Sequence, residues 1–233
     1  MIRIADGKEF NRLVEALADD IQHAHFHWRL YRDLLNAHEE FPNVRHQSVA
    51  FWHLTHRAHV MEAMQSLARA FDQDATSLHL RSWLKTIQAN MHLFATQEFK
   101  KRLAGNPFVD SLSEIAREPD PVQLEADIAL CTQSDPTVKA LLLQRHNVTA
   151  HRNARMAARG RSAIEEFGIP VADFEDLLQR SRTIHSRYSQ LFAAASYSPQ
   201  ILGHGDYRFI FQCVEETVRR SREESTARGR GPI

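Results

Sequence analysis

The chain has 233 residues, of which 43% are hydrophobic and 25% charged, with 29 basic and 29 acidic side chains. This is ordinary globular composition, long enough for a real core, and its neutral balance excludes a general nucleic-acid coat while leaving room for a local basic site. No apolar run approaches the roughly 20 residues of a membrane span, MIRIADGKEF lacks the apolar centre of a secretion signal, and Cys131 and Cys213 match no metal or redox spacing, so a cytoplasmic protein with two reduced thiols is expected.

Glycine and proline number 8 each and sit between periodic segments, the punctuation of an all-α chain. Val14, Leu17, Ile21, Trp28, Tyr31 and Leu35 repeat in steps of three and four, which predicts one amphipathic helix from Lys8 to His38. Phe41-Pro42 breaks it. A second helix is predicted from Val44 to Phe71, with Trp52, Val60, Met64, Leu67 and Phe71 inward. Arg69 and Asp72 read as an ion pair at its end. After a turn over Asp72 to Thr76, Ser77 is placed to cap a third helix carrying Leu80, Trp83, Leu84, Ile87 and Met91. Gly105-Asn106-Pro107 is a loop signal. Asp120-Pro121 and Asp135-Pro136 each set an N-cap aspartate before a first-turn proline.

The helix after Pro136 contains RHNVTAHR, Arg145 to Arg152, and Gly160 ends or bends it. From Thr137 to Ser162 every charged residue is basic: Lys139, Arg145, Arg152, Arg155, Arg159 and Arg161. A local positive field on a neutral chain points to an anionic partner. Arg145 and Arg152 fall in the apolar phase of Val138, Leu141, Leu142, Val148 and Met156. Lone charges are rarely buried, so Arg145 either pairs with a distant carboxylate or lines a pocket or interface. On a straight α-helix Arg145 and His151 point about 120° apart, so they share a site only if the helix bends or a second subunit supplies one of them. Further helices follow from Val171 to Ala195 and from Tyr207 to Arg222, and the basic tail from Thr226 reads as disordered. The expected architecture is a bundle of long antiparallel helices with short ones inserted, in a single domain over residues 1–225 with a tail over 226–233.

Rival chemistry is thinner. His53, His56 and His59 advance by threes, and His23 and His27 are one turn apart, so a helical bundle can hold a metal there. The chain has 14 histidines, which makes such clusters common by chance, and no Glu-x-x-His of the di-iron kind appears. Gly-rich phosphate loops and nucleophile elbows are missing from the sequence.

RHNVTAH resembles the signature of the HEPN superfamily of helical nucleotide- and RNA-binding domains, an Arg followed four to six residues later by a His. Arg32 to His38 and Arg180 to His185 have the same spacing. The stretches FWHLTHRAHVMEAMQSLARAFDQDATSLHLRSWL (Phe51 to Leu84) and GIPVADFEDLLQRSRTIHSRYSQLF (Gly168 to Phe192) resemble the abortive-infection U-type branch and flank Arg145 to His151. The resemblance spans roughly Val14 to Arg220. It implies a metal-independent endoribonuclease without cofactor, acting in phage defence or as a toxin, with two copies placing their Arg-His pairs across a shared cleft. His151 would then be the general acid or base, Arg145 would hold the scissile phosphate, and His146 and Asn147 would position phosphate or His151. Arg152 and Arg155 would bind flanking phosphates. An antitoxin or defence-system partner fits that role. The resemblance equally implies a non-catalytic module that binds RNA or nucleotide or serves as a dimerising adaptor.

Overall fold

The computed structural model describes residues 1–150, 158–160, 166–200, 203–227 and 229. Among the described residues the chain is all helix and loop, with no strand. The long helices are α1 (Gly7–Glu40), α3 (Val49–Ala70), α9 (Val171–Ala193) and α10 (Tyr207–Ala227). Between them stand α2 (Pro42–Gln47), α4 (Leu80–Ala89), α5 (Thr96–Arg102), α6 (Val109–Leu112), α7 (Pro121–Leu130) and α8 (Pro136–Gln144).

The chain divides into two compact units, Met1–Ala24 with Met64–Pro199 and His25–Ala63 with Gln200–Ile233. In the first, Phe10, Val14 and Leu17 of α1, Leu67 and Phe71 of α3, Trp83 and Ile87 of α4, and Phe174, Tyr188 and Phe192 of α9 are buried. Trp83 is its centre. It stacks on Phe10 with ring centroids 6.1 Å apart and on His185 at 5.3 Å. The Nε2 of His185 lies 2.9 Å from the Val14 carbonyl. Nε2–H is the donor in that bond, and burial pushes the imidazole pKa down to about 4 despite it. His185 is therefore structural, and so is Arg180, which is held by Asp135 (2.8 Å) and Asp176 (2.7 Å). The decoy spacing Arg180 to His185 is spent on packing.

Arginines also serve this core. Arg102 lies over the Phe192 ring at 3.7 Å and donates to the Leu93 and Phe192 carbonyls. Arg117 lies over Phe99 at 4.2 Å and donates to the Leu112 and Gln190 carbonyls. Both bind carbonyls near helix ends, where intrahelical donors run out; the Gln190 carbonyl also accepts the Ala194 N–H at 2.9 Å. Cys131 is fully buried, and that burial pushes its thiol up to about 12, which leaves it inert.

Both Asp-Pro caps form as the sequence predicts. Asp120 accepts from the Val122 N–H at 3.0 Å, and Asp135 from those of Thr137 (2.9 Å) and Val138 (3.0 Å). Asp135 also carries Arg180, so Asp135→Ala is expected to lower stability by about 1–2 kcal/mol, with Asp135→Asn recovering part of it. Urea denaturation at pH 7 checks this. The cap expected at Ser77 stands at His79 instead. The Nδ1 of His79 accepts from the Ser82 N–H at 3.3 Å and Ser82 Oγ reaches back to the His79 N–H at 3.0 Å, a capping box with an imidazole in the usual hydroxyl's place.

In the second unit Leu34, Ala37, Val44 and Phe211 are buried, with Leu30, Phe41, Trp52, Tyr207 and Val214 packed against them. Leu35, expected inward, is exposed. Histidines line the contact between α1 and α3. His27 and His59 face each other with Nδ1 atoms 2.9 Å apart, and the His38 and His56 rings lie 5.1 Å apart. Both nitrogens of His38 and the Nδ1 of His56 are buried without a hydrogen-bond partner. His53 is exposed. Among the described residues no group of three His, Cys, Asp or Glu converges to hold a metal ion. Helix α10 reaches Ala227, so Thr226 belongs to it; residues 228 and 230–233 lie outside the described residues. Among the described residues no helix is long and apolar enough to cross a membrane.

Candidate functional site

Helix α8 is α-helical from Pro136 to Gln144, where Val138, Leu141 and Gln144 are buried. Gln144 anchors this end. Its Nε2 donates to the Met64 sulfur at 3.3 Å, and its Oε1 accepts from the Ile169 N–H at 2.7 Å. From Arg145 to Ala150 the backbone widens into a π-helix. Such i→i+5 turns are rare and concentrate at functional sites. The widening falls on RHNVTA, so straight α-helix phase does not hold over Arg145 to Ala150. His151, Arg152 and Arg155 lie outside the described residues.

Arg145 is half-buried, and its Nη1 donates to Asp72 Oδ2 at 2.9 Å. Both structural expectations for an arginine in an apolar phase are met: it has a distant carboxylate, 73 residues earlier in the chain, and it lines a pocket. Burial raises the Asp72 pKa, but the Arg145 hydrogen bond and the Gln73 N–H outweigh it and hold the carboxyl below its ordinary value. Asp72 thus stays ionised at neutral pH. Arg69, which the sequence assigned to Asp72, donates from Nε to Asp20 at 2.7 Å.

The pocket beside Arg145 has a volume of about 500 Å³. Lys139, Arg145 and His146 give it a cationic side from α8 and the π segment, with Leu142 and Leu143 as its apolar surface. Asp72 and Asp74, from the loop between α3 and α4, and Gln133, from the α7–α8 loop, line it as well. The loops are tied together, because the Gln73 side chain donates to the Phe71 and Cys131 carbonyls at 2.8 and 2.9 Å. His79 Nε2 lies 3.2 Å from the Asp74 carbonyl. The structure therefore brings Arg145 and His146 to one pocket. Asn147 donates to the Leu143 carbonyl at 2.9 Å, one turn back along its own helix.

Asp74 and Gln133 join this site with no local signal of it in the sequence, while Lys139 belongs to the basic run and Asp72 to the turn where the sequence pairs it with Arg69. The Asp-x-Asp of the α3–α4 turn looked like turn chemistry, and nothing local ties it to a helix 73 residues away. Chemically, the pocket can hold an anion against two permanent cations and an imidazole, beside acceptors and an amide that suit a polar heterocycle.

The family model for AbiU2, a HEPN group, matches residues 7–209. No curated protein and no solved structure matches the chain.

Proposed function

The chain belongs to the AbiU2 family of HEPN domains, and on that footing we propose that it is a metal-independent RNA endonuclease of the abortive-infection or toxin kind. The observation that carries this is Arg145, held by Asp72 at 2.9 Å at the start of a π segment and lining a pocket with Lys139 and His146. An arginine whose fork is oriented by a carboxylate needs little reorganisation to meet a phosphate. In this reading the RNA 2′-oxygen attacks the adjacent phosphorus, the bond to the 5′-oxygen breaks, and a 2′,3′-cyclic phosphate forms. His151 takes the 2′-hydroxyl proton or returns one to the departing 5′-oxygen. Arg145 neutralises the charge that builds on the non-bridging oxygens. Arg152 and Arg155 bind flanking phosphates. Two copies of the chain act together, and an antitoxin or defence-system partner restrains them.

Asp72 positions Arg145. Asp72→Asn keeps the shape and removes the charge, and is expected to slow cleavage about tenfold through a looser guanidinium. Initial rates on single-stranded RNA at saturating and limiting concentrations check it, with the change expected in kcat.

The pocket's size also favours a second reading, a module that binds RNA or nucleotide without cutting it, since about 500 Å³ accommodates a mononucleotide. Purified protein incubated with RNA in EDTA separates the two. An enzyme loses cleavage in His151→Ala. A binder shows no cleavage, keeps its RNA affinity in His151→Ala and loses it in Arg145→Ala. Cleavage that persists undiminished in His151→Ala overturns the nuclease assignment.

A further inference from the structure

We propose that Asp74 and Gln133 make the pocket selective for guanine in the nucleotide whose phosphate meets Arg145. The inference rests on the reading of Arg145 as the phosphate-binding group. Its basis is the pocket's division of labour. The groups that attract phosphate, Lys139, Arg145 and His146, belong to α8 and the π segment, whereas Asp74 and Gln133 belong to the two loops. Leu142 and Leu143 offer a face for a ring to lie on.

Asp74 is built to accept. Its Oδ1 receives the Thr76 N–H at 2.7 Å and the Thr76 hydroxyl at 2.6 Å. An ionised carboxylate has about four acceptor positions and no donor, so the second oxygen remains an acceptor. The Thr76 bonds hold the carboxyl below its ordinary pKa, and it is ionised at neutral pH. The His79 contact ties the Asp74 carbonyl, and the two Thr76 bonds orient its exposed carboxylate.

An unpaired base is read on its Watson–Crick edge. Guanine presents two adjacent donors there, the ring N1–H and the exocyclic amine, with a carbonyl beside them. The donors match Asp74 and the carbonyl matches the Gln133 amide. Uracil presents a single N–H between two carbonyls, which an ionised carboxylate repels. Adenine and cytosine offer one amine next to a bare ring nitrogen and fall between.

The full-length protein is titrated calorimetrically with 5′-GMP and 5′-UMP, and two single-stranded RNAs differing only in one G or U are offered for cleavage. The expected result is GMP bound about tenfold more tightly than UMP, the scale of one charge-assisted hydrogen bond, and cleavage at the G-containing RNA by a similar margin. Asp74→Asn keeps an oxygen for Thr76 and turns the reading oxygen into an amide donor, so the G-over-U ratio should vanish or invert. Gln133→Ala, an exposed loop change, should reduce the ratio and serves if Asp74→Asn does not fold. Equal affinities, a preference unmoved by both variants, or no nucleotide binding overturn the proposal. A movable GMP preference without RNA cleavage supports it and counts against the nuclease. Cleavage without base preference does the reverse.

Discussion

Arg145→Ala is expected to reduce RNA cleavage about 10²–10³-fold, the usual loss when one donor to a developing oxyanion is removed. Arg145→Lys should recover little. Lysine keeps the charge but lacks the planar fork that can hold Asp72 on one edge and a phosphate on another. The fold should survive both changes. The Arg145 and Asp72 side chains are 32% and 23% exposed, and one such partly solvated pair contributes on the order of 1 kcal/mol. Lost activity with an unchanged far-ultraviolet dichroism melt is therefore the predicted combination. Lost activity with a collapsed melt would make Arg145 a structural residue.

The second large effect is acid sensitivity. His185 is buried and neutral, with its pKa pushed down to about 4 by burial first of all, against 6.5 for the ordinary group. The unfolded chain therefore takes up a proton between pH 6.5 and about 4 that the folded chain refuses. Stability is fully present above pH 6.5 and is lost as pH falls through that window. At about 1.4 kcal/mol per pH unit the loss from His185 alone is roughly 3 kcal/mol. His38, His56, His59 and His79 are shifted in the same direction, each by burial foremost, and steepen the decline. Asp72 and Asp135 do not drive it, since their carboxyls lie below the ordinary value and titrate at the acid end. Urea midpoints measured from pH 7 to 4.5 should fall steeply in the wild type. His185→Gln, which retains a neutral donor for the Val14 carbonyl, should show a visibly shallower fall. An identical slope in both proteins would mean that His185 is not held neutral.

Much of the fold was legible because the signals were local. An aspartate before a proline marks a helix start by its own chemistry, and both such sites cap as expected. The stripe of Val14, Leu17 and Ile21 is buried as read. It failed at Leu35 because the buried set of α1 changes phase between the units, from Phe10, Val14 and Leu17 to Leu34 and Ala37. A period read in the first half cannot anticipate that. The His79 cap was missed because an imidazole caps only in one tautomer, which its surroundings select. Within the site, Arg145 and His146 stood out by their place in a basic run. The π segment gave no sign in composition, and the Asp72 partner and the Asp74–Gln133 wall exist only once distant loops meet.

The role of the Arg145 pocket is tested most directly by product analysis of one single-stranded RNA in EDTA, comparing wild type, Arg145→Ala and Arg182→Ala. Arg182 is an exposed arginine lining a separate groove on α9 and controls for loss of charge alone. Wild type and Arg182→Ala should release cyclic-phosphate ends at similar rates, with Arg145→Ala slower by two orders of magnitude or more. Cutting by Arg145→Ala at the wild-type rate would contradict the account.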